Sequence, residues 1–325
     1  MCYSAQLVQD HREYLRAFPG AKVGIEEFAR LTEARWSGQK ALIPKGMAHS
    51  FLYSDRPEDQ EVAGHLRRYD ELHEHDLRAE LASQQLRLEK AEADLKVKET
   101  KKARDSLRIA GNKIKNLQRQ LADLERRELL PKDSRVYPQS YAPVLVKIDG
   151  ELRILPMRYL LRPQGRPPEF DKEYSGCYNA RRDNLQKFWR KQFGVTHGVV
   201  MMERFYENVS HHDYEQRPLT ADEKPTSVVV EFEPGDGKTM FVACLWSHWQ
   251  GAGDDLHSFA IITDEPPPEV RETGHDRCVV QIKRERVEEW LDATGKSDEQ
   301  LLEILSDRPQ VRYQHRLLKT ELPAG

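Results

Sequence analysis

Apolar positions along this chain change their spacing twice. Between about Glu58 and Leu130 they recur in sevens, with Leu81, Leu88 and Leu95 in one row and Leu107, Ile114 and Leu121 in another. Ala110, Leu117 and Leu124 fill the partner position of the second row. The two registers do not match, because stepping by sevens from Leu95 reaches Lys102 and Ile109. That break predicts two helices meeting near residues 98–106 as an antiparallel hairpin, with one long bent helix as the alternative. The segment holds no proline until Leu130-Pro131, where the ring can stop a helix.

Outside this segment the period shortens to that of strands. The run "VLVKIDGELRIL" places two β-rich stretches around Asp149-Gly150, a two-residue hairpin signal. "SVVVEFEPGDGKTMFVACLW" repeats the device around a Gly/Pro-rich loop at 234–237, and "HGVVMMERFYE", "SFAIIT" and "RCVVQI" read as further strands. Short helices are expected at Asp183–Gln192, Val287–Ala293 and Glu299–Leu305. The fold class is α+β: a mainly antiparallel, β-rich domain of residues 1–56 and 131–325, interrupted at 57–130 by a coiled-coil-like helical insertion.

Composition narrows the function. Lys plus Arg number 51 and Asp plus Glu 54, so any nucleic-acid surface must be local. Cys2, Cys177, Cys244 and Cys278 are widely spaced and form no Cys-x-x-Cys pair, which argues against a zinc ribbon and fits a reducing cytoplasm. The polar start and the lack of an 18-residue apolar run predict no signal peptide and no membrane span. The expected location is cytoplasmic, nucleoid-associated in a bacterium. Nucleotide-binding glycine motifs and His-Glu-x-x-His do not occur. "SHHDYE" offers His211, His212 and Asp213, but adjacent strand histidines face opposite sides, so it reads as a loop and no metal is expected.

Chemistry concentrates at a few residues. Removal of Met1 would leave Cys2 with a free α-amine and a thiol on adjacent carbons. Such a group condenses with an aldehyde to an imine and then closes a thiazolidine ring. "GCYNARRDNLQKFWRKQF" supplies Asn179, Arg181 and Arg182, followed by a basic stretch in which Trp189 suits either base stacking or the core. Glu207 ends a β-rich run, where a partly buried carboxylate can exchange protons, and His275 and Arg277 stand just before a strand.

Together these segments resemble the SOS-response-associated peptidase (SRAP) family, whose members capture abasic sites in single-stranded DNA. The resemblance rests on Met1-Cys2, Asn179-Ala180-Arg181, Phe205-Tyr206-Glu207 and His275-Asp276-Arg277, in the family's order. "YAPVLV", "MRYLLRP", "VACLWSHW" and "WLDATGKSDEQLLEILSD" resemble further family segments, and the likeness spans roughly residues 1–55 and 131–320. It implies that Cys2 forms a thiazolidine crosslink with an abasic site. Asn179 would orient the sugar, Glu207 would shuttle protons and His275 would promote ring opening. Arg181, Arg182 and Arg277 would grip phosphates, with Tyr159 a further DNA contact where the family has tryptophan. No cofactor is implied, and the partner is abasic single-stranded DNA.

The chain departs from the family at Tyr3-Ser4, where an expected phosphate-contacting arginine is missing. It departs also at Arg204, Asn208 and Cys278-Val279. The alternative function is an N-terminal-cysteine thiol peptidase, with His275 and Glu207 as partners of Cys2, acting on a peptide or its own leader. A third reading makes the insertion the functional part, through a protein partner or self-association, with the β-rich domain as its scaffold.

Overall fold

The computed structural model describes residues 4–220, 222–251 and 254–318. Thirteen strands lie among them: β1 (Ser4–Leu7), β2 (Lys22–Val23), β3 (Arg135–Val136), β4 (Tyr141–Ile148), β5 (Glu151–Tyr159), β6 (Asn179–Arg181), β7 (His197–Ser210), β8 (Ser227–Pro234), β9 (Met240–Gly251), β10 (Asp254–Asp264), β11 (Cys278–Val279), β12 (Gln281–Ile282) and β13 (Tyr313–Leu318). The first five helices are α1 (His11–Ala17), α2 (Ile25–Trp36), α3 (Lys45–Leu52), α4 (Gln60–Val97) and α5 (Lys101–Glu125).

The sheet curls until it closes. β7 pairs with β4 and with β9, β9 with β10, β10 with β5, and β5 back with β4. All of these pairs are antiparallel except β10–β5, so the α+β class and its antiparallel bias both appear. Closure leaves no free edge in the ring and encloses a core that includes Val144, Leu155, Val200 and Leu245. The β4–β5 hairpin turns at Asp149 and Gly150 with φ of 50° and 80°. Both residues are left-handed, the conformation that an Asp-Gly pair tolerates.

Helices α4 and α5 form the hairpin that the register break predicts, antiparallel and joined through residues 98–100. Glu80 meets Lys113, and Arg87 donates to Ser106, at matching heights along the pair. Thr100 caps α5 by accepting from the Ala103 N–H at 3.2 Å. Buried Ala103, Ala110 and Leu117 form one seven-residue row of α5, opposed by Leu77, Gln84 and Ala91 of α4.

The first turns of α4 pack elsewhere. Val62 and Leu66 join Phe28, Met47 and Phe51 in a small core of their own against α2 and α3. Asp59, just before α4, is fully buried against His11 at 3.0 Å. Burial alone would raise its carboxyl, but hydrogen bonds from His11 and Ser54 hold it below the ordinary value.

One expected helix is absent. Residues 182–195 form a short 3₁₀ turn at Arg182–Asn184 and then successive turns, with Trp189 buried and Phe188 exposed. The apolar residues Leu185, Trp189 and Phe193 are spaced by fours, yet they anchor turns rather than helix. The "SHHDYE" segment, read as a loop, opens with the short helix His211–Tyr214.

Candidate active site

Ser4, the first described residue, enters the sheet between β3 and β7 and pairs with Tyr206. Cys2 lies outside the described residues. Next to Tyr206 is Glu207, a carboxylate with no solvent exposure at all on a strand held between neighbours. His275 Nε2 stands 3.1 Å from Glu207 Oε2, and its ring is likewise buried. The other ring nitrogen, Nδ1, lies 3.2 Å from the Arg277 N–H and 2.9 Å from the Arg277 carbonyl. The backbone turn at 275–277 holds Nδ1, which leaves Nε2 as the ring atom beside the carboxylate at ion-pair distance.

From His275 the chain runs into β11, which pairs with β10 at Thr263 and Asp264. On its other side the same end of β10 carries β6, with Ile261 opposite Asn179 and Thr263 opposite Arg181. Asn179 and Thr263 are buried, and neither the Asn179 amide nor the Thr263 hydroxyl has a hydrogen-bond partner among the described residues. Buried polar groups left in this condition cost about 1–3 kcal/mol each unless water, a ligand or a residue outside the described range completes the bonding.

The predicted arginines divide. Arg181 is exposed and forked onto Asp183 at 2.7 and 3.1 Å. Arg277 lies close to the site and pairs with the exposed Glu265 at 3.2 Å. Arg182 is a structural clasp: it bonds Asp264 at 2.9 Å and reaches the Leu302 carbonyl and Ser306. Its guanidinium is spent on holding the Asp298–Ser306 helix to β10. Tyr159 is corrected outright. Its ring is fully buried, stacked on Phe259 at 5.1 Å and edge-on to Tyr178, because it ends a strand of the closed ring. It offers DNA no surface.

One residue near the site went unnoticed in the sequence. Arg135 of β3 donates to the Ser4 hydroxyl at 2.9 and 3.1 Å and lies over the Tyr206 ring at 3.7 Å. A cation therefore stands beside the position where the family's arginine is replaced by Ser4, delivered from 131 residues away. Cys278 is buried beside the site, and burial, reinforced by the Glu207 charge, pushes its thiol up to about 12. Burial also pushes Cys177 up to about 12 and Cys244 well above its usual range. All three described cysteines are buried, and burial favours the protonated thiol over the reactive thiolate. His211 and His212 face different carboxylates, Glu215 at 3.4 Å and Asp213 at 3.3 Å.

The family model described as SOS response associated peptidase (SRAP) matches residues 103–322. The chain belongs to this family. Similar solved structures include a protein from Bordetella bronchiseptica, 21% identical, covering 57% of this chain and 87% of its own, with a TM-score of 0.46. A protein from Bacteroides thetaiotaomicron is 16% identical over 57% of this chain and 78% of its own, with a TM-score of 0.47. A phage-related protein from Bordetella bronchiseptica is 18% identical over 60% and 86%, with a TM-score of 0.44. No curated protein matches the chain. Among the described residues no helix is long and apolar enough to cross a membrane.

Proposed function

We propose that this chain captures abasic sites in single-stranded DNA through a thiazolidine crosslink at Cys2, once Met1 is removed. The observation that carries the reading is the buried Glu207–His275 pair at 3.1 Å, one residue along β7 from the partner of Ser4. Cys2 precedes Ser4 by two residues in the sequence. The other three cysteines are buried with raised pKa values, which favours Cys2 as the thiol that reacts.

In this mechanism the sugar must first open to its aldehyde. His275 exchanges the proton that moves between the ring oxygen and the anomeric hydroxyl, with Glu207 holding the imidazole in place. The α-amine of Cys2 adds to the aldehyde carbon and water leaves, giving the imine. The thiolate then adds to that carbon, the nitrogen takes up a proton, and the ring closes. Asn179 spends its unpartnered amide on the sugar hydroxyls. Arg277 exchanges Glu265, and Arg181 exchanges Asp183, for phosphates, and Arg135 takes the part of the arginine missing after Cys2.

The test is the intact mass of untagged protein after incubation with an oligonucleotide carrying one abasic site. A heat-stable adduct that forms without reductant and disappears in Cys2→Ala is the expected result. An adduct of unchanged yield in Cys2→Ala, or one seen only after borohydride reduction, would overturn the reading.

A further inference from the structure

The β9–β10 hairpin carries a cluster that plays no part in the chemistry above. His248 and His257 are directly opposite each other in the antiparallel register. Asp255 precedes His257 by two residues, so all three side chains project from one face of the sheet. The two imidazoles are stacked at 4.1 Å and only 8° from parallel, and His248 Nε2 lies 2.5 Å from Asp255 Oδ1. One donor atom from each residue falls within 4.8 Å of the others. We infer that His248, Asp255 and His257 form a binding site for a divalent transition-metal ion of the zinc type.

The geometry sets one condition, and two arguments support the site. Tetrahedral zinc with bonds of about 2.0–2.1 Å needs donors about 3.4 Å apart, so binding requires the two stacked rings to turn out of parallel until their in-plane lone pairs converge. Two imidazoles and a carboxylate prefer zinc, nickel or copper over magnesium or calcium, which seek oxygen ligands. Cross-strand pairing also presets the two histidines, because the ladder rather than the ion holds their backbones together. The fourth position falls to water. Arg30 approaches the second carboxylate oxygen of Asp255 at 3.9 Å and is itself half-exposed, so it can swing away. Asp255 and His257 also line a cleft of about 350 Å³ shared with α2, through which an ion could enter.

An aminothiol at Cys2 would itself chelate zinc, so the measurement uses untagged full-length protein carrying Cys2→Ala. Equilibrium dialysis should give one Zn²⁺ per chain, not displaced by excess Mg²⁺, and zinc should raise the melting temperature. His248→Ala combined with His257→Ala should weaken binding at least about tenfold and abolish the thermal shift. His211→Ala, remote from the hairpin, should leave both unchanged. Metal-free circular dichroism shows whether the double variant folds, and His248→Gln, which keeps the side chain's bulk and polarity, gives a second route to the same loss. Absence of binding at micromolar zinc, or equal affinity in either histidine variant, would overturn the site.

Discussion

The closed barrel and the helical hairpin are stabilised by opposite means. The barrel buries nearly everything, including Glu207, His275 and Asn179, whose polar atoms must then be matched by geometry. Beyond its base the hairpin is two helices with only each other to bury against, and its seam is a row of small or apolar side chains. One region keeps its chemistry by excluding water, and the other keeps its shape by periodicity. A change of one atom should therefore matter in the barrel, whereas removal of whole turns should be tolerated in the distal hairpin.

The largest expected effect tests where the two regions divide. Replacing 58–130 outright removes Asp59, Val62 and Leu66, which leaves His11 without its carboxylate and uncovers Phe51. Breaking a buried pair costs about 3–5 kcal/mol, and each large apolar loss about 2–5 more, so this deletion should fail to yield folded protein. Replacing only 82–112 with a short Gly/Ser turn keeps the Leu77–Leu117–Leu121 cluster. It should leave the body's melting temperature nearly unchanged and crosslinking intact. Loss of adduct chemistry in a folded short-arm variant would show that the distal arm shapes the DNA path. Lys101, Lys102 and Arg104 begin α5, about 30 Å along the helix from Leu121, so they are poorly placed for that role.

Next in size is Glu207→Gln, nearly isosteric with the native side chain. It should slow adduct formation by about 10²-fold or more while the far-ultraviolet spectrum stays native. A rate within a few-fold of the parent would remove the Glu207–His275 pair from the mechanism.

How much of this contrast the sequence discloses depends on which force leaves a pattern. Heptad spacing located the hairpin, and Thr100, a capping residue, marks the turn that lacked Gly or Pro. Asp149-Gly150 named its own turn. The barrel's closure could not be read, since β7 pairs with both β4 and β9 through contacts far apart in sequence. Nor could burial of the site: in "FYENV" Glu207 shares a strand face with Phe205 and Val209, and only the fold reveals that it meets His275 there. Arg182 and Tyr159 looked available for DNA because their partners, Asp264 and Phe259, lie about 80 and 100 residues away. Arg135 was invisible for the same reason.

Acid should separate the regions by a smaller margin. His197 begins β7, stacks on Trp290, accepts the Gly194 N–H at Nε2 and donates from Nδ1 to the Trp290 carbonyl. Burial depresses its pKa to about 4, and both hydrogen bonds need the neutral ring. The unfolded chain takes up this proton near pH 6.5, whereas the folded chain resists it until about pH 4. Stability is therefore full above the upper value and falls as pH drops through the window, by about 3 kcal/mol in all. Denaturant titrations of His197→Gln should lose about half of the slope across this window, since burial depresses His257 to about 4 as well and adds a slope of the same sign. If the slope survives, other groups carry it.

The smallest effect lies in the seam of the hairpin. Gln84 is buried between Leu77 and Ala91 in the seven-residue row, and its Nε2 donates to Glu80 at 3.0 Å. Its Oε1 has no partner among the described residues. Gln84→Leu removes an unmatched polar atom from an otherwise apolar or small-residue seam, so it should stabilise the distal arm by about 1 kcal/mol. The whole-protein melting temperature is a poor reporter, since the barrel dominates it. Hydrogen exchange of the α4 and α5 amides is the direct one, and protection should rise there and nowhere else. A polar residue at such a position can also restrict pairing, so light scattering belongs beside the exchange measurement. A variant that is better protected and still monomeric would show that Gln84 only weakens the arm. If the same change produced a dimer, Gln84 would instead be what keeps the seam from taking a second copy.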